Sequence, residues 1–354
     1  MHPIPSSMRP RAIAVGVAVL VLAGTAGPAG AAAIRLDGWG TISADMGGGA
    51  LVWSDAAAAK TKTFTYWRTD TGRAVLSGSR LGRIDHPVTV RTSAGAAIGA
   101  AIRASGVARG LVLVTPGASY AGPVIWCCDA SDTEVVVESD GRGDAPRPIA
   151  ATLDGARVRW VGTSPAGAVL AAGDPVEGAV RATSVAFPGS PVAGTASLAR
   201  GLVAWANAGG SVLNVATPTD EGVTGTRTIP QGGRVIGVWA APGVVATAVR
   251  AGGRVQVAWN DPASGAHRVV WRGPGTPKVA VGGRAIAIGT GSKVLTSRGG
   301  AAARAVGDAR GPVAAVATDG SRVAVFERIT RTVTEKRRVR RVKTTQGRII
   351  GGVR

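Results

Sequence analysis

The 354-residue chain has few of the side chains that build metal and redox centres. It contains two cysteines, Cys127 and Cys128, and three histidines, of which His86 and His267 lie beyond the N-terminal region. A structural zinc site needs four Cys or His ligands close together, and this chain does not supply such a set. No G-x-S-x-G sequence accompanies the histidines, so a nucleophile–histidine–acid triad is not expected either. We predict no metal site, no cofactor and no catalytic residue.

Long apolar runs are also scarce. The one near the N-terminus, residues 12–23, is shorter than the roughly 20 residues that a membrane-spanning helix needs. Arg9 and Arg11 precede this run and a stretch of small residues ending at Ala33 follows it, which is the layout of a secretory signal peptide. We therefore predict a cleaved signal peptide over residues 1–33, export from the cytoplasm, and no transmembrane segment after cleavage. The alternative is an uncleaved membrane anchor.

Glycine is abundant, with 53 residues, and its positions reveal a repeat. A glycine followed by a short apolar strand occurs at Gly49, Gly110, Gly155, Gly201, Gly243, Gly283 and Gly320. Units of roughly 40 to 45 residues are typical of four-stranded propeller blades, and apolar residues at alternate positions favour antiparallel strands. We predict an all-β, seven-bladed β-propeller of four-stranded antiparallel blades over residues 34–354. Residues 34–84 would form the first blade, and an irregular insertion would lie within about 85–150.

Two copies of the repeat resemble a known family. Thr152–Trp160 and Thr318–Phe326 are similar to the "P-D-G-x-x-[IV]-A-[FWY]" strand of TolB-like and WD-like bacterial propeller repeats, with Leu153 and Thr318 replacing the proline. This resemblance implies the fold and leaves the activity open, because propellers host unrelated functions. Residues 261–271 also resemble, imperfectly, the "D-x-x-T-G-x-x-x-W" docking motif of quinoprotein-type propellers, with a serine replacing the threonine and the tryptophan two residues late.

The aromatic residues, only 4% of the chain, follow the repeat. Trp53, Trp160, Trp205 and Phe326 come four to six residues after a repeat glycine. This regular position predicts side chains packed between blades. The alternative is an exposed tryptophan that binds a sugar ring.

Cys127 and Cys128 are adjacent. In an oxidising, exported setting they would be expected to pair, although a disulfide between neighbours closes a strained eight-membered ring. A vicinal disulfide, a structural or incidental pair, a redox or ligand contact, and pairing between molecules all remain open.

The chain carries 41 basic and 21 acidic side chains, a net charge of +20, and its C-terminal part is the most basic. Candidate anion-binding residues are Lys336, Arg337, Arg338, Arg340, Arg341 and Lys343. The alternative is a pair of exposed strands in the last blade with a solvated basic face. No aromatic side chain interleaves this run, so a nucleic-acid partner is not expected.

These features predict an exported, monomeric, non-enzymatic interaction scaffold at the bacterial cell envelope. A basic exported protein associates readily with anionic envelope polymers, so the expected partner is such a polymer or another protein. The alternative is an exported propeller-type enzyme, either a glycan lyase or hydrolase or a quinoprotein-like oxidoreductase. The acids fall mainly in turns such as those at Asp154, Asp261 and Asp319, where turn formation explains them.

Overall fold

Every regular element that the structure describes is a β-strand. A computed structural model describes residues 34–37, 42–47, 50–55, 63–68, 73–76, 88–89, 103–108, 111–115, 124–127, 134–138, 147–154, 157–164, 166–176, 179–335 and 338–350. No helix in these ranges is long and apolar enough to cross a membrane. The predicted signal peptide lies outside the described residues.

The strands form antiparallel meanders of four. β1 (Ile34–Asp37) lies at the edge of the last sheet. The next strands are β2 (Ile42–Gly47), β3 (Ala50–Asp55), β4 (Thr63–Arg68) and β5 (Arg73–Leu76), with β6 (Val88–Thr89) beside β4. They are followed by β7 (Arg103–Ala108), β8 (Leu111–Thr115), β9 (Val124–Cys127) and β10 (Glu134–Glu138). Then come β11 (Arg147–Asp154), β12 (Arg157–Ser164), β13 (Gly167–Val176) and β14 (Ala179–Ala186). β10 and β14 pair in parallel, so the β7–β10 and β11–β14 meanders are joined edge to edge.

The remaining chain continues the same pattern. One sheet contains β15 (Ala196–Ala199), β16 (Leu202–Trp205), β17 (Val212–Thr219) and β18 (Gly222–Pro230). The next contains β19 (Arg234–Ala241), β20 (Val244–Ala251), β21 (Arg254–Asn260) and β22 (His267–Gly273). It is followed by β23 (Lys278–Gly282), β24 (Ala285–Thr290), β25 (Lys293–Arg298) and β26 (Arg304–Asp308). The last sheet contains β27 (Val313–Thr318), β28 (Val323–Glu335) and β29 (Arg338–Ile350) with β1 at its edge.

The repeat identified in the sequence precedes the second strand of each meander. Each of the seven repeat glycines comes directly or shortly before β3, β8, β12, β16, β20, β24 or β28. Gly201 and Gly243 have φ of 65° and 79°, a left-handed conformation that favours glycine in a tight turn. The prediction of an all-β chain with four-stranded antiparallel sheets is confirmed.

Both ends of the described chain share one sheet. β1 pairs antiparallel with β29, with Ile34 opposite Gly347 and Asp37 opposite Thr344. Residues 34–37 were predicted to begin the first blade, and they instead complete the last sheet, because their backbone pairs with the free edge of β29. Within residues 85–150, predicted to hold an irregular insertion, the structure has β6 to β10 and the start of β11.

The repeat aromatics fill the spaces between neighbouring sheets. Trp160, Trp205 and Phe326 are each the fourth residue of their strand and are at most 3% exposed. Trp205 packs with Val161 and Leu170 of the preceding sheet, and the Phe326 cluster includes a residue of β2. Packing between sheets is thus confirmed for these two side chains. Trp53 occupies the same strand position, but its side chain lies outside the described residues.

Adjacent sheets approach closely enough to require glycine at one place. A Cβ on Gly282, at the end of β23, would overlap the carbonyl oxygen of Thr318 in β27. Gly320, with φ of 91°, faces the Gly282 carbonyl from the other side. The first turns of these two sheets therefore touch backbone to backbone.

Removing a core aromatic tests this packing. We expect Phe326→Ala to lower the free energy of unfolding by about 3–5 kcal/mol, because it leaves a cavity between β2 and β27. Val339→Ala is the control, since Val339 is 69% exposed and should change stability by less than about 0.5 kcal/mol. Urea unfolding measures both. Equal stabilities of the two variants would contradict the packing role of Phe326.

A half-buried acid in β2 predicts a pH effect. Burial raises the pKa of Asp45 from 3.8 to about 6, although the Met46 N–H donates to its Oδ1 at 2.9 Å. The folded state therefore binds a proton that the unfolded state has already lost, and this contribution to stability decreases as pH rises from 3.8 to 6. We expect Asp45→Asn to raise the free energy of unfolding by about 3 kcal/mol at pH 8 and to leave it unchanged near pH 3.5. Thermal melts across this range would contradict the assignment if the difference did not depend on pH.

Candidate anion-binding hairpin

The two longest strands extend beyond the sheet that contains them. β28 and β29 each have 13 residues and pair along their whole length, from Val323 opposite Ile350 to Glu335 opposite Arg338. β27 pairs with β28 only as far as Glu327, and β1 pairs with β29 only as far as Thr344. Residues 328–335 and 338–343 pair only with each other among the described strands, and we call residues 328–343 the basic hairpin. At about 3.3 Å per residue it projects roughly 25 Å.

The hairpin concentrates positive charge at the surface. Residues 328–343 include eight basic side chains and one acidic side chain, Glu335. The side chains of Arg331, Arg340, Arg341 and Lys343 are exposed. Three of the six predicted anion-binding residues, Arg340, Arg341 and Lys343, thus stand on the hairpin surface.

The other predicted residues are described less fully. Arg338 begins β29, but its side chain lies outside the described residues, as do Lys336 and Arg337 entirely. Arg331 is not among the predicted residues, because it lies five residues before the continuous basic run. The hairpin register, with Arg331 opposite Val342, adds that residue from the preceding strand.

A buried ion pair fixes the base of the hairpin. Glu327 in β28 has 0% exposure, and its Oε1 accepts a hydrogen bond from Arg348 Nε of β29 at 3.2 Å. Its Oε2 accepts the backbone N–H of Arg310, while Arg348 also donates to the carbonyl oxygen of Asp308. These bonds tie both strands to the connection that enters the last sheet. The only signal in the sequence was an acid directly after an apolar strand segment, and the prediction missed it.

A second buried polar network spans the β19–β22 sheet. Gln231 accepts a hydrogen bond from the Thr247 hydroxyl and donates to Asn260 Oδ1 at 2.9 Å. Asn260 donates to Thr247 and to the carbonyl oxygen of Val245. His267 Nδ1 lies 2.9 Å from Asn260 Oδ1, an acceptor, so the neutral ring carries its proton on Nδ1. This network connects the entering chain to three strands.

His267 has a structural position. Burial lowers its pKa, which favours the neutral form that donates to Asn260. His86 lies outside the described residues. No group of three or more His, Cys, Asp or Glu side chains that could hold a metal ion occurs in the described part of the chain.

The cysteine pair falls mostly outside the described residues. Cys127 ends β9, its side chain lies outside them, and Cys128 does so entirely. The vicinal disulfide therefore stays a prediction.

Two predicted turn acids cap their own turns. The Asp261 carboxylate accepts hydrogen bonds from the Ser264 hydroxyl and the Ala263 N–H, and these bonds lower its pKa. Asp319 accepts from Ser321 and from the Arg322 backbone and guanidinium. Although burial acts to raise the pKa of Asp319, the bonds from Ser321 and Arg322 outweigh it and lower the pKa. Turn formation accounts for both carboxylates, in agreement with the sequence analysis.

Comparison with solved structures assigns the fold to the β-propellers. The structure is similar to Hsv2 from Kluyveromyces marxianus, with a TM-score of 0.51 and 11% identity over 85% of this chain and 94% of that one. It is also similar to hydrazine synthase of Kuenenia stuttgartiensis, with a TM-score of 0.48 and 14% identity over 87% of this chain and 96% of that one. At such identities the likeness shows the fold alone. No protein-family model and no curated protein matches the sequence.

The buried ion pair predicts a large and specific effect on stability. Arg348→Met should lower the free energy of unfolding by about 3–5 kcal/mol, because it leaves the buried Glu327 carboxylate without its counter-charge. The double variant Glu327→Gln with Arg348→Met should recover most of that loss. Urea unfolding of the single and double variants measures the coupling.

A surface ion pair provides the control. Arg322→Met breaks the pair with Asp319 in a partly exposed turn and should cost at most about 1 kcal/mol. If Arg348→Met were no more damaging than Arg322→Met, the anchoring role of the buried pair would be wrong.

Proposed function

We propose that this protein is an exported, non-enzymatic, seven-bladed propeller that binds an anionic polymer of the bacterial cell envelope through the basic hairpin. The observation that carries the proposal is the hairpin itself. It presents exposed guanidinium and ammonium groups on a projecting ribbon whose base is held by a buried ion pair.

The seven-bladed arrangement is supported by the order of contacts between innermost strands. β2 contacts β7, β7 contacts β11, and β11 contacts β15. The series continues from β15 through β19 and β23 to β27, and β27 contacts β2 again. Each of these strands begins one meander, so we infer seven blades, with the β7–β14 sheet counted as two joined by their outer strands.

Electrostatics support the choice of partner. Long-range attraction to a polyanion needs several like charges that share one surface, and its strength depends on how many anionic groups are neutralised. The hairpin supplies Arg331, Arg340, Arg341 and Lys343 on a two-stranded ribbon.

The predicted signal peptide supports a location outside the cytoplasm. Envelope polymers that carry phosphate or carboxylate groups are then the anions that such a protein meets. The enzyme alternative receives no comparable support, because Asp261, Asp319 and His267 are engaged in turns and in a structural network.

The test compares two triple variants that lose the same charge. Arg340→Gln, Arg341→Gln and Lys343→Gln remove three charges from the hairpin, whereas Arg254→Gln, Arg272→Gln and Lys293→Gln remove three exposed charges elsewhere. With purified anionic wall polymer, we expect the hairpin variant to bind at least about tenfold more weakly and with a smaller salt dependence. The control variant should stay within about twofold of the natural protein.

Isothermal titration at two salt concentrations measures both effects, and far-UV circular dichroism checks the fold. Equal losses in the two variants would mean that net charge alone, and not the hairpin, accounts for binding. Absence of binding by the natural protein would refute the proposal.

A further inference from the structure

The two faces of the basic hairpin differ in chemistry. Side chains directly opposite each other in an antiparallel pair lie on the same face, and alternate pairs share a face. On one face Arg328 is opposite Thr345, Thr330 is opposite Lys343, and Thr332 is opposite Arg341. We call this the threonine face. Its pairs Thr330–Lys343 and Thr332–Arg341 each place one exposed hydroxyl beside one exposed basic side chain, whereas Thr345 is fully buried and Thr334 is opposite Val339.

The opposite face has no such pairs in its described side chains. There, Arg331 is opposite Val342 and Val333 is opposite Arg340. Each cation on that face has an aliphatic neighbour, and the two valines are half-buried. Both faces can attract an anion, but the threonine face can also donate hydroxyl hydrogen bonds at regular intervals. Thr330 and Thr332 are exposed and suited to that role.

The interval between these pairs sets the repeat of a matching ligand. Successive pairs on one face are two residues apart, which is about 6.6–6.8 Å along the strand. Two residues of peptide contain six main-chain bonds. An extended polymer with six main-chain bonds between successive anionic groups therefore has nearly the same repeat. A phosphodiester chain with a three-carbon polyol linker meets this condition, since the sequence P–O–C–C–C–O–P contains six bonds.

We propose that the threonine face binds an extended polyol-phosphate chain running along the hairpin, with one phosphate at each of the two exposed hydroxyl–cation pairs, Thr330–Lys343 and Thr332–Arg341. At each pair the threonine hydroxyl donates to a phosphate oxygen, and the Lys or Arg neutralises the charge. The proposal rests on the proposed function and specifies its ligand. A single-stranded nucleic acid has the same number of bonds per phosphate, but residues 328–343 contain no aromatic side chain on which bases could stack.

The decisive variant removes hydroxyls and keeps every charge. Thr330→Val with Thr332→Val retains the β-branched shape that favours a strand. We expect this double variant of the full chain to bind synthetic poly(glycerol phosphate) about tenfold more weakly, because hydrogen bonds to a charged group are lost. Its affinity for polygalacturonate of matched charge should change less than twofold, since ring-borne carboxylates do not share the six-bond repeat. The matched control is Thr226→Val with Thr228→Val, two exposed threonines of β18.

A second pair of variants tests which face is used. Arg341→Gln alters the threonine face and Arg340→Gln the opposite face, with the same loss of charge. Binding to poly(glycerol phosphate) should weaken about fivefold more in Arg341→Gln than in Arg340→Gln. Equal losses would overturn the assignment of the face.

The outcomes separate this proposal from the function on which it rests. If the triple charge variant fails to bind while the double threonine variant binds poly(glycerol phosphate) normally, the hydroxyl ladder is wrong and the basic hairpin remains the binding site. If oligothymidylate binds as tightly as poly(glycerol phosphate), the polyol-phosphate assignment is overturned. If the natural protein binds no polyanion, both proposals fail.

Discussion

The structure depends on burial of apolar side chains between neighbouring sheets. No described sheet could hide both of its faces alone, and the second strands β16 and β20 are buried on both sides over most of their length. Leu202–Trp205 and Val244–Val249 are buried without interruption. The hydrophobic effect therefore acts between sheets, and the aromatic side chains of Trp205 and Phe326 each pack against residues of a neighbouring sheet. The close backbone contact between Gly282 and Thr318 is possible because Gly282 has no Cβ.

Polar groups in so apolar an interior must find partners inside the protein. In two sheets the paired polar side chains have the same register relative to each other. Asn260 of β21 lies opposite Val245 of β20, which is two residues before Thr247. In the same way, Arg348 of β29 lies opposite Val325 of β28, which is two residues before Glu327. Both pairs bind the connection that enters their sheet, through Gln231 in one case and the Arg310 backbone in the other. A neutral pair and a charged pair thus perform the same task, and the charged pair stands at the base of the basic hairpin.

Local chemistry made much of this fold predictable. Glycine turns, alternation of apolar residues and repeat spacing identify strands such as β21 and β22, because short-range sterics determine them. The position of β1 was not predictable, since residues 34–37 have no local feature that selects β29 as their partner. The basic run indicated the candidate site, but its two faces depend on the register between strands, which only the pairing of Arg341 with Thr332 reveals. Arg348 gave no signal, because its partner is 21 residues away.

The pairing of β1 with β29 also bears on the order in which the protein assembles. The two strands are more than 300 residues apart in the chain, so their contact has nearly the highest sequence separation available. Contacts of this kind form late, because loop-closure entropy opposes them until the intervening chain is ordered. During synthesis β1 therefore has no partner until residues 344–347 have been made. The strands of the β28–β29 ribbon are close in sequence, so the ribbon can form before β1 pairs with β29.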